Sequence, residues 1–128
     1  MTNDESSSNV QNEQDRTFDL EERTSKFGEA VIKLCKRLPI NPITSPLITQ
    51  VVKASSSVGA NYGEANDAES RKDFRHKIGI CRKESKESKH FLRMIAAAAP
   101  EFRNECVVLW QEAKELNLIF GKIRRSTE

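Results

Sequence analysis

The chain has 128 residues, room for one domain and one hydrophobic core. With 31% charged residues, 37% hydrophobic residues and only 5 Gly and 4 Pro, its composition excludes a collagenous or turn-rich β chain and favours helices. A net charge of +2 is modest, no apolar run approaches the ~20 residues of a membrane span, and three cysteines without a CxxC pair exclude a disulfide framework or zinc knuckle.

Residues 1–17 contain Asp4, Glu5, Glu13 and Asp15 against Arg16 alone, with Val10 the only core-forming side chain. The expectation is a disordered acidic tail, and this start has neither the basic and apolar regions of a secretory signal nor an Arg-rich transit pattern. A cytoplasmic protein is expected. The first helix is predicted from an N-cap at Asp19 to Leu38, with Leu20, Phe27, Val31, Leu34 and Leu38 on one face. Pro39 and Pro42 end it. Ser45 and Pro46 have the form of an N-cap followed by Pro at the first helical position, opening a second helix whose stripe is Leu47, Val51, Ala54, Val58, Tyr62 and Ala65. Its centre, Ala54 to Ser57 with Gly59 and Ala60, is small enough for another backbone to come close. The alternative, a phosphate cradle, lacks the GxxxxGK[ST] pattern.

Ser70 with Asp73 three residues on is an acidic form of the capping box and predicts a third helix to Ala99, closed by Pro100. A fourth is expected from about Glu101 to Arg125, with acids at its start and Lys122, Arg124 and Arg125 at its end, as the helix dipole favours. The fold class is therefore all-α, an antiparallel up-down four-helix bundle over residues 18–125, with 126–128 as a short C-terminal tail. Cys35, Cys81 and Cys106 sit among apolar neighbours at helical spacing and are read as reduced core residues.

Charge is unevenly placed. Residues 70–95 carry nine Lys or Arg against three acids, a net of +6, so the excess positive charge lies on the third helix. At 100° per residue Arg71, Arg75, Arg82, Lys86, Lys89 and Arg93 fall within about 40° of one line, a stripe ~33 Å long. Asp73, Glu84 and Glu87 fall on the far side. Such a stripe suits a polyanion, and the plainer account is a solvated face or cross-helix pairing with Glu residues. His76, His90 and the cysteines offer no metal-binding spacing, and Glu87-Ser88-Lys89-His90 supplies only half of a di-iron carboxylate motif. Neither histidine sits in a catalytic motif, so no enzyme, metal or cofactor is expected. On the fourth helix Val107 and Leu118 project away from the inward stripe and Trp110 lies between, which marks these three as candidate oligomer contacts.

The run ASSSVGANYGEANDAESRKDF at 54–74, with KESKES at 83–88 and LWQEAKELNLIFGKI at 109–123, resembles the bacterial four helix bundle protein family, also known as the 23S rRNA intervening-sequence proteins. The resemblance spans about Phe18 to Arg125. It implies an antiparallel four-helix bundle, assembly as a homopentamer, and a role with nucleic acid; a relative of this fold, the accessory factor of diversity-generating retroelements, contacts RNA and reverse transcriptase through a basic barrel. The resemblance brings no catalytic residues. Two functions follow as expectations: a self-assembling bundle that binds RNA or DNA through the stripe, or an oligomeric protein-interaction scaffold that uses those cations between subunits.

Overall fold

A computed structural model describes the backbone of residues 8–128 and the side chains from Leu20 onward. Its described residues form four α-helices, α1 (Ser8–Cys35), α2 (Thr44–Asn66), α3 (Arg71–Ala98) and α4 (Arg103–Ser126), with one 3₁₀ turn at Pro100–Phe102 and no strand. Each helix packs on its two neighbours and not on the diagonal one, and the α1–α4 seam is the least extensive of the four. This is the expected all-α up-down bundle.

Two helix starts differ from expectation. α1 begins at Ser8, so Asp19 is an interior residue and not a cap; no Gly or Pro between Ser8 and Phe27 interrupts the helix. Of the expected tail, residues 1–7 lie outside the described residues. α2 begins at Thr44, and Ser45 and Pro46 are already inside it. The Asn41 carboxamide oxygen accepts from the backbone N–H groups of Ile43 and Thr44, both at 2.9 Å, and takes the capping role assigned to Ser45. At α3 the expected cap is present: the Ser70 hydroxyl accepts from the Asp73 N–H at 3.0 Å.

The core comes from one stripe per helix: Phe27, Val31 and Leu34; Val51, Val58 and Tyr62; Ile78, Leu92 and Ile95; Ala113, Leu116 and Phe120. Cys35, Cys81 and Cys106 are buried free thiols. Burial pushes Cys81 up to about 12 and Cys35 up to about 11. The small centre of α2 meets α1 of the same chain. A Cβ on Gly28 would stand 3.4 Å from the Ser55 carbonyl oxygen, and one on Gly59 would stand 3.3 Å from the Thr24 hydroxyl. Thr24 is fully buried and satisfied, its hydroxyl donating to the Leu20 carbonyl at 2.7 Å. The close approach anticipated at Gly59 is thus an intrachain contact.

Antiparallel packing gives the bundle two unlike ends. At one, the α1–α2 loop and the start of α4 expose Ile40 (74%), Ile43 (67%) and Val108 (68%). At the other, the start of α3 and the end of α4 bring together Arg71, Arg75, Arg124 and Arg125.

Candidate nucleic-acid interface

All six cations of the stripe lie on α3, whose inward face is set by Ile78, Cys81, Ser85, Ser88, Leu92 and Ile95. The two serines of KESKES are fully buried: Ser85 donates to the Cys81 carbonyl and Ser88 to the Glu84 carbonyl, each at 2.8 Å. Turning these small hydroxyls inward directs Lys86 and Lys89 away from the core. Arg71, Arg82, Lys86 and Arg93 are exposed, and Arg75 and Lys89 are half-buried.

Much of the stripe runs along the flank of α3 that meets α4. Arg82 leans over Gly121, where an added Cβ would stand 3.6 Å from its Nε, and the Asn117 amide donates to the Arg82 carbonyl at 2.8 Å. Lys89 Nζ lies 5.5 Å from the centre of the Trp110 ring, and Arg75 meets Glu128 at 3.6 Å. Lys86 instead borders a shallow surface pocket with Gln50 and Phe91.

Arg124 and Arg125, which in the sequence alone answer only to the helix dipole, belong to this surface. Arg124 crosses from α4 over Gly79, where a Cβ would meet its Nε at 3.2 Å, and Arg125 lies beside Gly121. Glycine on each helix makes room for an arginine of the other. The Nε atoms of Arg75 and Arg124 are buried with no hydrogen-bond partner among the described residues.

Several carboxylates pair with cations outside the stripe. Glu112 and Glu115 of α4 bind Arg23 of α1, Glu112 through two 2.8 Å contacts. Glu105 pairs with Arg37, which holds its carboxyl below the ordinary value, and Glu64 pairs with Lys77 at 2.6 Å. Among the described residues, Arg75 is the one member of the stripe in an ion pair.

Of the expected oligomer contacts, Val107 and Leu118 are 45% and 61% exposed, and Gln111 and Lys114 separate them along α4. Trp110 is half-buried on the side facing α3, beneath Lys89 and Lys114. Val107 and Val108 also border a cleft of about 690 Å³ between α1 and α4, opposite Phe27 and Ala30. No three His, Cys, Asp or Glu side chains come together as a metal set among the described residues. No helix among them is long and apolar enough to cross a membrane.

The family model described as 23S rRNA-intervening sequence protein matches residues 16–122, nearly the whole bundle. This chain belongs to that family. A crystal structure of a protein of unknown function, from the S23 ribosomal protein family of Bacteroides thetaiotaomicron, has the same fold: TM-score 0.71, 24% identity, covering 82% of this intervening-sequence protein and 97% of that chain. No curated protein matches it.

Proposed function

We propose that this intervening-sequence protein is a non-enzymatic, self-assembling bundle that binds nucleic acid through phosphate contacts along the α3 stripe, extended by Arg124 and Arg125. The observation that carries this reading is that five of the six stripe cations have no ion-pair partner among the described residues, while Arg23, Arg37 and Lys77 are all paired. That arrangement speaks against cross-helix salt bridging as the purpose of the stripe. Arginines gathered over Gly79 and Gly121 repel one another and leave donors unsatisfied, and a bound polyanion relieves that repulsion. Contacts of this kind fix a strand without reading its sequence.

The test is the salt dependence of binding to a duplex RNA. Each phosphate contact contributes about −0.9 to the slope of log K against log salt. Replacing the three exposed residues Arg71→Gln, Arg82→Gln and Lys86→Gln is expected to flatten the slope by roughly two to three and to leave helicity intact. An unchanged affinity and slope would reject the stripe as a phosphate track. The scaffold reading, in which the cations face other subunits, would then take its place.

A further inference from the structure

The flank of α3 that carries much of the stripe also faces Trp110 of α4, the only tryptophan of the chain. Trp110 has Lys89 Nζ and Lys114 Nζ each 5.5 Å from its ring centre. It also lines a pocket of about 380 Å³ between α3 and α4, together with apolar Leu92, Ala96 and Val107 and the guanidinium-bearing Arg93 and Arg103. That volume lies within the roughly 300–1,000 Å³ typical of small-ligand sites. No carboxylate lines it, and none of these four cations is ion-paired among the described residues.

An aromatic ring and apolar walls ringed by unpaired cations suit a flat, weakly polar group attached to anions. We infer that the pocket accepts an unpaired nucleobase against Trp110 while Lys89, Arg93, Arg103 and Lys114 take the flanking phosphates, so that the protein prefers single-stranded nucleic acid to duplex. This rests on the phosphate-track reading above and adds a ligand class to it. In a duplex the base faces are stacked on one another and cannot reach the ring, whereas an unpaired base offers its π-face at little cost. The lysine tips over the ring are flexible and stay close enough to meet phosphate when a base displaces them.

Because Trp110 is the only tryptophan, its fluorescence reports on this pocket alone. The probes are a ten-residue oligouridylate, an abasic strand of the same length, and a duplex RNA, each titrated at low salt. The oligouridylate should quench Trp110 and the abasic strand should bind without quenching. Trp110→Leu should lose about tenfold in affinity for the oligouridylate, at the low end of what base–aromatic stacking contributes. Trp110→Phe, which keeps an aromatic ring and guards against a folding defect, should stay within about threefold of the parent, and duplex affinity should be the same in all three. If oligouridylate binds the parent and Trp110→Leu equally with no fluorescence change, the pocket assignment falls and the stripe stands. A fluorescence change on dilution of the protein, with no response to RNA, would place Trp110 between subunits and also overturn it. Failure of all three probes to bind would remove the phosphate-track reading together with this one.

Discussion

Cys81 shows how far burial controls chemistry in this bundle. Its thiol is fully enclosed, its sulfur lies 3.5 Å from the Val58 carbonyl, and desolvation holds its pKa near 12 against an ordinary 9.0. A raised folded-state value means that its contribution to stability is complete below pH 9 and is lost as the pH rises from there toward 12, because only the unfolded chain ionises easily in that window. Cys35, near 11, behaves in the same sense. The melting temperature should therefore fall between pH 9 and 11, and Cys81→Ala should fall less steeply over the same interval; parallel curves for the two proteins would contradict the assignment. At neutral pH a thiol reagent should find all three cysteines silent until denaturant is added. The sequence already disclosed this fate through the apolar neighbours of each cysteine. It did not disclose that Ser85 and Ser88 would be buried, because a hydroxyl that donates to a carbonyl one turn back leaves no mark in composition.

Among the elements, the helix pairs are distinguished by where glycine stands. Gly28 and Gly59 let α1 and α2 approach through backbone and small side chains, whereas Gly63 faces open space with no atom within 4 Å of an added Cβ. Gly63→Ala should therefore raise stability by roughly 0.5–1 kcal/mol through helix propensity alone. Gly28→Leu should lower it by about 1–3 kcal/mol, since the larger side chain must part α1 from the Ser55 backbone. Chemical denaturation of both variants checks the two signs. Existence and order of the helices were legible from apolar spacing and from Pro39, Pro42 and Pro100, and the cap at Ser70 from its spacing to Asp73. The start of α2 was not, because Asn41 caps it from the preceding loop and Ser45–Pro46 imitates the same signal. The basic stripe was readable within α3, where 3.6 periodicity aligns it. Arg124 and Arg125 join it only through the crossing of α3 and α4, which no single-helix pattern encodes.

For the whole molecule, exposed Ile40, Ile43 and Val108 gather at the end opposite Arg71, Arg75, Arg124 and Arg125. Apolar surface of this kind commonly marks an interface. Light scattering should give a mass that is a multiple of 14.5 kDa at micromolar concentration, and Ile43→Asp with Val108→Asp should reduce it toward the single-chain value. A single-chain mass for the unaltered protein would exclude self-assembly. The opposition of the two ends has a further consequence for how tightly a strand is held. Copies joined at their apolar ends would turn their arginine-rich ends outward as a set, and one long polyanion could then engage several at once. Its hold would grow with valency and strand length, by raising the effective concentration of each next site, with no new contact in any one bundle. Short oligonucleotides would dissociate readily from the same surface.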